Sequence, residues 1–276
     1  MTTTKIVRGV STLQVHALAS GSSGNAMLVR EGATNLLIDA GISVRKIARA
    51  LTAKGLTTSD LNGILLTHEH SDHMIGAIAA SRRYNAPLVA NAATFAELRR
   101  RNSIGFQAIE LSSGGSTELG EISVRSFGVS HDAVEPVGYV LRYGATQLTY
   151  FTDTGCVTDA IRDALEGATI AVVEANYDPD MLLRGPYPEY RKARVASESG
   201  HLSNQDCGDL LAERLERGGS MSIWLAHLSR VNNSPALARR TIQERIAART
   251  QVPYTLEVAL RDQPSLIWSA PLPKGD

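Results

Sequence analysis

A chain of 276 residues with 43% hydrophobic content is long enough to bury a sizeable core. Its charges balance, with 28 Lys and Arg against 28 Asp and Glu, which argues against a strongly basic nucleic-acid binder and against a membrane-surface protein. An acidic substrate would therefore need a local basic patch. The start of the chain lacks the apolar stretch of a signal peptide and no later run approaches a membrane span, so we expect a cytoplasmic location without membrane contact.

No internal repeat, low-complexity tract or long Pro/Ser-rich linker divides the chain. We therefore predict a single domain over residues 1–276, of which residues 1–10 form a loose N-terminal tail. The contexts of Cys156 and Cys207 do not suggest a disulfide framework, and both are expected to be buried thiols.

Short β-rich segments come first. Residues 13–19, 26–30 and 35–40 are bounded by Gly, Ser or Asn, which predicts three strands. Residues 43–54 repeat their apolar positions at helical spacing, and an apolar strand over 63–67 then leads directly into a histidine-rich segment. These histidines should therefore lie at the carboxyl end of a strand.

Helices are predicted at 73–83 and 91–102, and a strand-rich middle runs from 108 to 151. The remaining elements alternate in type: helix 160–166, strand 169–175, helix 204–217, strand 222–227 and helix 234–249. Strands clustered in two halves, with helices between them, predict an α/β fold in which two sheets pack together under outer helices. The expected architecture is a four-layer α/β/β/α sandwich.

The segment HEHSDH places His68, His70, Asp72 and His73 within six positions. Imidazole nitrogens and carboxylate oxygens are good ligands for zinc and similar divalent ions. So dense a cluster seldom arises by chance, whereas a lone histidine inside an apolar strand, such as His16, is more typical of structure. The cluster therefore predicts a metal site.

Three further ligand-type residues follow predicted strands, as His68 does. They are His131 in SFGVSHD, Asp153 in LTYFTDTG and His227 in SIWLAHLS. Their shared position at strand ends suggests that they converge with the histidine cluster.

These motifs resemble, in order, the five signature motifs of the metallo-β-lactamase superfamily: Asp39 in LLIDAG, the HEHSDH cluster, His131, Asp153 and His227. The resemblance implies a metallo-β-lactamase-type sandwich that binds two divalent ions. It assigns His68, His70 and His131 to one ion, assigns Asp72, His73 and His227 to the other, and makes Asp153 the bridge. Asp39 would accept a hydrogen bond from the ring nitrogen of a metal-binding histidine that does not face the metal. Asp72 is also counted among the catalytic residues, and zinc or manganese, with iron as a further choice, suits these ligands.

Longer motifs resemble the YycJ-like (WalJ) group, which is regarded as a DNA exonuclease branch of the superfamily. They are ALASGSSGN, VVEANYDPDMLLRGPYP, the basic run ending at Arg194, GHLSNQD and LAHLSRVNN. One departure is visible, because Tyr177 stands where the E-x-N-H-D stretch of that group has histidine. Any role of that histidine does not carry over.

Two divalent ions about 3.5–4 Å apart can share a hydroxide nucleophile and neutralise a leaving oxygen. Phosphodiester cleavage also profits from a proton donor, for which His201 is the candidate. Ser203 and Asp206 form a capping-box pattern, so His201 should precede a helix. A similar arrangement in the tRNA 3′-processing nucleases (RNase Z) implies that Glu174 orients or charges His201. The alternative is that His201 only caps or packs.

Two segments are candidates for substrate binding. Ser22, Ser23 and Asn25 lie in a Gly/Ser loop that could approach a phosphate closely, although a hairpin turn needs no function. The other segment mixes cations with Tyr187 and Tyr190, which suits a phosphate backbone and base stacking, although a solvated charged loop would have the same composition. Its cations are Arg184, Arg191, Lys192 and Arg194.

The favoured hypothesis is a dinuclear metal-dependent phosphodiesterase that acts on nucleic acid, with His201 as general acid. Within this class, a DNA exonuclease is preferred. One alternative is a small-molecule hydrolase of cyclic phosphodiesters, lactones or thioesters. Another is a non-hydrolytic protein, either a metal-binding scaffold or a di-iron redox protein. His70 argues against the di-iron protein, because di-iron relatives of this fold favour a carboxylate at that ligand position. The sequence leaves open the metal, DNA against RNA, the polarity of cleavage and the oligomeric state, a homodimer included.

Overall fold

The computed structural model describes residues 12–57, 59–101 and 104–270, so the predicted tail 1–10 lies outside the described residues. Seven strands form the first sheet: β1 (Gln14–Ala19), β2 (Ala26–Glu31), β3 (Thr34–Ile38), β4 (Gly63–Leu65), β5 (Leu88–Ala90), β6 (Ala108–Glu110) and β14 (Ile267–Ser269). Their spatial order is β14-β1-β2-β3-β4-β5-β6. Neighbours from β14 to β3 pair antiparallel, and those from β3 to β6 pair parallel.

The second sheet repeats this plan. Its strands are β7 (Ser116–Leu119), β8 (Ile122–Gly128), β9 (Val137–Tyr143), β10 (Thr146–Phe151), β11 (Ile170–Glu174), β12 (Met221–Ala226) and β13 (Tyr254–Val258). The spatial order is β13-β12-β11-β10-β9-β8-β7, antiparallel from β7 to β10 and parallel from β10 to β13. Both sheets therefore join an antiparallel meander to a set of parallel strands.

Helices cover the outer faces of both sheets. The helices of the described residues are α1 (Val44–Thr52), α2 (Ser71–Met74), α3 (Ala77–Tyr84), α4 (Ala92–Arg101), α5 (Asp159–Leu165), α6 (Pro179–Arg184), α7 (Glu189–Val195), α8 (Asn204–Glu216) and α9 (Pro235–Ala247). One apolar cluster lies between the sheets, a second packs α1, α3 and α4 on the first sheet, and a third packs α5, α8 and α9 on the second. The predicted four-layer α/β/β/α sandwich is confirmed.

Between the sheets, the side chains of Val15, Val29, Tyr139 and Trp224 are almost completely excluded from solvent. Burial of one such aliphatic side chain contributes about 1.5–3 kcal/mol before the entropy of ordering is counted. This layer therefore fixes the two sheets against each other and holds their strand ends together.

Among the described residues, the helices are too short or too polar to cross a membrane.

Two local expectations were wrong. The predicted helix over 73–83 is broken into α2 and α3 at Gly76, where a Cβ atom would come within 2.2 Å of the Ile42 carbonyl oxygen. A side chain has no room there, because the chain after β3 packs directly against the break. Cys156 was also expected to be buried and is only partly buried, whereas Cys207 is buried. The basic stretch forms α6 and α7 and not a loop, but α7 has no buried residue, so the alternative of a solvated charged segment stays open.

Candidate metal centre and active site

Three site residues that follow strands have unusual backbone conformations. Asp39 directly follows β3, Asp153 lies two residues after β10, and His227 directly follows β12. Their φ angles are 58°, 58° and 54°, in the left-handed region that residues other than glycine seldom adopt. Such strain persists where the surrounding structure holds it and is concentrated at functional sites. Because these strands come from both sheets, the ends of the two sheets share one site.

The first triad consists of His68, His70 and His131, whose ligand atoms lie within 4.8 Å of one another. The Nδ1 atom of His68 lies 3.0 Å from the Thr67 hydroxyl, and that of His131 lies 2.9 Å from the Gly200 carbonyl oxygen. These contacts fix the rings and leave both Nε2 atoms for a metal. The Nε2 atom of His68 is buried without a hydrogen-bond partner among the described residues.

The second triad consists of Asp72, His73 and His227, again with ligand atoms within 4.8 Å of one another. His73 Nδ1 lies 2.8 Å from Asp39 Oδ2, and His227 Nδ1 lies 3.0 Å from Glu174 Oε1. The two Nε2 atoms lie 3.7 and 3.6 Å from Asp72 Oδ2. Each histidine of this triad therefore directs its Nδ1 atom to a buried carboxylate and its Nε2 atom toward Asp72.

Asp153 lies between the triads. Its Oδ2 atom is 3.0 Å from Nε2 of His73, and its Oδ1 atom is 3.7 Å from Nε2 of His131. Burial alone would raise the pKa of this carboxyl, but His227 and His73 outweigh it and hold the pKa well below its usual range. Asp153 is therefore an ionised carboxylate within reach of both triads.

The histidines fall into two electrostatic groups. Burial lowers the pKa of His68 and of His131, which favours the neutral form that binds metal. For His73 and His227 burial acts in the same direction but neighbouring carboxylates outweigh it, raising the pKa of His227 to about 10. A divalent ion can replace the protons that these carboxylates attract. The imidazole nitrogens and buried carboxylates fit two divalent cations, as do the Nε2 atoms of His68 and His227, which have no hydrogen-bond partner among the described residues.

Glu174 holds two histidines at once. Its Oε1 atom lies 2.8 Å from His201 Nδ1 and 3.0 Å from His227 Nδ1, while Oε2 accepts from the amides of Thr154 and Leu202. Although Glu174 lies close enough to Asp153, His201 and His227 to form a ligand group with them, its oxygens are already occupied. It therefore positions histidines rather than offering a free ligand atom.

Of the hydrogen-bonded residues Glu174 and His201, His201 is the more accessible to solvent. Its side chain is 21% exposed, whereas that of Glu174 is fully buried. Its ring centre lies 5.2 Å from that of His131 and 5.4 Å from that of His227. Burial lowers the pKa of His201, but Glu174 and Asp153 outweigh this effect and raise it above the ordinary value. Half of the predicted capping box is present: the Ser203 hydroxyl accepts from the amide of Asp206 at the start of α8 and donates to the carboxylate of Asp206.

The Gly/Ser loop lies beside the second triad. Asn25 is buried, and its Nδ2 atom lies 3.0 Å from Nε2 of His73. Ser22 and Ser23 are exposed, and the Ser23 hydroxyl donates to Asp262 at 2.8 Å. The structure thus places Asn25 beside the second triad and leaves the two serines exposed on the same loop.

The four basic residues of the second candidate segment do not form one common grip. Lys192 donates to a backbone carbonyl of α6 at 2.7 Å, and Arg194 pairs with Asp132, the neighbour of a first-triad histidine. Arg191 stacks over a tyrosine ring at 5.0 Å, and Arg184 is exposed at the end of α6. Arg191 and Arg184 therefore make no ion pair among the described residues, while Arg194 links α7 to Asp132.

Two contributors were not predicted. Thr67 uses its hydroxyl to contact Asp39, His68 and His73 at 3.0–3.2 Å, and its only sequence signal is its place directly before HEHSDH. Asp132 brings a carboxylate oxygen to within 3.2 Å of the Nε2 atom of the preceding histidine. Glu69, between the ligand-type residues His68 and His70, is buried and accepts from the amide of Val134.

Comparison with known proteins gives consistent matches. The family described as the beta-lactamase superfamily domain matches residues 34–218. The chain is 38% identical over 234 residues to an exodeoxyribonuclease YycJ of Bacillus anthracis, covering 84% of this chain and 88% of the relative. It is 37% identical over 234 residues to an exodeoxyribonuclease WalJ of Streptococcus pneumoniae, covering 83% and 87%.

A solved structure shares the whole fold. The metallo-β-lactamase fold protein YhfI from Bacillus subtilis superposes with a TM-score of 0.72 at 15% identity, covering 94% of this chain and 100% of that one. At this identity the likeness concerns the fold alone. The sequence matches and the shared fold show that the chain belongs to the metallo-β-lactamase superfamily, as a metal-dependent hydrolase related to the YycJ and WalJ proteins.

Proposed function

We propose that the protein is a dinuclear metal-dependent phosphodiesterase that acts on DNA as an exonuclease in the cytoplasm. The observation that carries the proposal is the His201–Glu174 pair, 2.8 Å apart, held against two triads of metal-ligand residues. A proton donor is most useful where the leaving group is a poor one, as the alkoxide of a nucleic-acid chain is. The names of the two exodeoxyribonuclease relatives support the same substrate class.

In this proposal the first triad holds one divalent ion, the second triad holds another, and Asp153 bridges them. Zinc or manganese suits this set of nitrogen and oxygen ligands. When bound, such a pair supplies a nucleophile from water at neutral pH and offsets the charge of a phosphodiester. Asp72 orients the nucleophile as well as acting as a ligand, and Asp39 keeps the proton of His73 on Nδ1 through their 2.8 Å contact.

His201 is the proposed general acid. Because its Nδ1 atom faces Glu174, its Nε2 atom remains to donate a proton to the leaving oxygen. The raised pKa of His201 favours the protonated form that this role needs, with Glu174 and Asp153 outweighing the effect of burial. Capping of α8 by Ser203 fixes the backbone just beyond His201.

The substrate would lie between the Gly/Ser loop and α7. On one side, Asn25 and the exposed Ser22 and Ser23 offer donors to a phosphate. On the other side, Arg191 and Arg184 would contact the strand's phosphates. Lys192 and Arg194 shape this side through their contacts with α6 and Asp132, which makes their role in binding indirect.

Substitution of His201 tests the proposal. His201→Ala should slow cleavage of DNA by about 10²–10⁴-fold, the usual contribution of a general acid, but should slow bis-p-nitrophenyl phosphate far less because p-nitrophenolate leaves without a proton. Metal content, measured in the same samples, should stay at the wild-type level. Equal losses on both substrates with reduced metal content would instead make His201 a ligand, and unchanged rates would remove it from the chemistry.

A further inference from the structure

A cavity outside the metal centre opens between β1, α1 and the segment 262–264. Its volume is about 440 Å³, within the range of pockets that hold small ligands. Leu18, Ala19 and Ala50 line it with apolar surface and are almost fully buried, and Pro264 lies on the opposite wall. A flat apolar group therefore fits this cavity better than a hydrated charge.

The rim of the cavity is basic. Lys46 and Arg49 line it, and Arg45 lies on the same exposed side of α1, a helix without an acidic residue. None of these three side chains makes an ion pair with any residue that the structure describes. Among the described residues that line the cavity, Asp262 alone carries a carboxylate, and Arg230 pairs with it at 3.0 Å. The charge around the apolar floor thus favours an anionic occupant.

One loop connects this cavity to the metal centre. The Ser20 hydroxyl accepts from the amide of His227 at 2.9 Å, and Asn25 lies 3.0 Å from His73. Between them, Ser23 donates to Asp262 on the cavity wall. Because an extended chain spans at most about 3.5 Å per residue, the Cα atoms of Ser23 and Asn25 lie within about 7 Å of each other, and their side chains contact the cavity wall and the second triad respectively. A strand that enters the centre over this loop would next reach the cavity.

Resting on the proposed function, we infer that this cavity and the α1 cations form a second contact site for single-stranded nucleic acid. One base of the strand enters the cavity against Leu18 and Ala50, and the adjoining phosphates lie on Lys46 and Arg49. Proteins that bind single strands without sequence preference combine a basic groove that follows the phosphates with flat apolar faces, usually aromatic, on which bases stack. In this cavity the apolar face is aliphatic. The site would hold the strand outside the centre while its end is cleaved.

Charge reversal with a matched control tests this site. Metal-loaded protein is titrated into single-stranded oligonucleotides with non-hydrolysable linkages, at several salt concentrations. Arg49→Glu should raise the Kd severalfold and lower the slope of log K against log salt by about 1, because one phosphate contact is lost. Arg240→Glu is the control, since Arg240 is 69% exposed on α9 and its paired carboxylate, Glu244, is 4.0 Å away. This control should bind as the wild type does.

A second variant tests the apolar part. Ala53 lines the cavity from the exposed end of α1, so Ala53→Leu should raise the Kd with an unchanged salt slope, because volume and not charge is altered. If the wild type binds and cleaves DNA but Arg49→Glu equals Arg240→Glu, the second contact site is wrong and the proposed function stands. If the wild type binds no oligonucleotide, both fail. Equal competition by a polyglutamate peptide of the same charge would also overturn the choice of occupant.

Discussion

Asp39 gives the sharpest test of how the second triad is built. Its carboxylate is completely buried, accepts from the Thr67 amide at 2.9 Å and lies 2.8 Å from His73 Nδ1. Asp39→Asn keeps the shape, and asparagine tolerates the φ of 58° at this position. The amide oxygen can still accept from Thr67, but an NH₂ group would then face His73. His73 would have to move its proton to Nε2, the atom that faces the metal.

The expected effect follows from the lost contact. A hydrogen bond to a charged group contributes roughly 1.5–3 kcal/mol, and about 1.4 kcal/mol corresponds to a factor of ten in affinity. The affinity of the second triad for its ion should therefore fall about 10- to 100-fold, in line with other losses of a partner behind a metal-binding histidine. Asp39→Ala should be worse, because alanine in the left-handed region costs a further ~1–2 kcal/mol.

Metal binding is measured by titration against a competing chelator, with bound metal counted by elemental analysis. Asp159→Asn is the matched control, since the side chain of Asp159 is 99% exposed on α5. We expect Asp39→Asn to retain the fold, to lose one ion first as the chelator rises, and to leave the first triad less affected. Binding of two ions with wild-type affinity would refute the role given to Asp39.

Three further predictions concern other parts of the molecule. Asp153→Ala should lower metal stoichiometry and abolish hydrolysis together, because Asp153 reaches both triads, and full metal content with normal turnover would contradict this role. Arg191→Glu should lower kcat/KM for DNA relative to kcat/KM for bis-p-nitrophenyl phosphate. It should also reduce the slope of log K for DNA binding against log salt by about 1. An unchanged ratio of the two kcat/KM values would leave α7 outside the substrate path. Burial, and then the charges of Lys54 and Arg30, lower the pKa of His16 from 6.5 to about 4. Because the unfolded chain then binds the proton more tightly than the folded one, the free energy of unfolding should fall as the pH drops from about 6.5 to 4. His16→Leu should lose less stability over that window in urea unfolding, and an identical pH profile would count against a neutral buried His16.

The sequence was most informative where function and local pattern coincide. Asp39, Asp153 and His227 could be placed at strand ends because each follows a recognisable apolar run, and the parallel strands within each sheet end at the same edge. The dense HEHSDH segment marked its own site. The left-handed backbone at three of these residues was not predictable, since only the packed surroundings impose it.

Long-range contacts were beyond the reach of the pattern. The resemblance implied a contact between Glu174 and His201, but nothing near Glu174 signals that the same carboxylate oxygen also contacts His227, 53 residues away along the chain. Likewise, composition predicted a basic stretch but not that Arg194 would pair with Asp132, because this depends on how α7 packs beside the first triad. Strands β5 and β14, of three residues each, are too short to carry a periodic signal.

The most direct test of the account compares purified wild-type protein with Asp153→Ala after metal analysis. Both are incubated with end-labelled single-stranded DNA, double-stranded DNA and RNA, and with lactone and thioester substrates. The account predicts two divalent ions per wild-type chain and progressive shortening of DNA from an end, with both lost in the variant. Metal-loaded wild-type protein that leaves DNA intact while hydrolysing a lactone or thioester would contradict the proposed function.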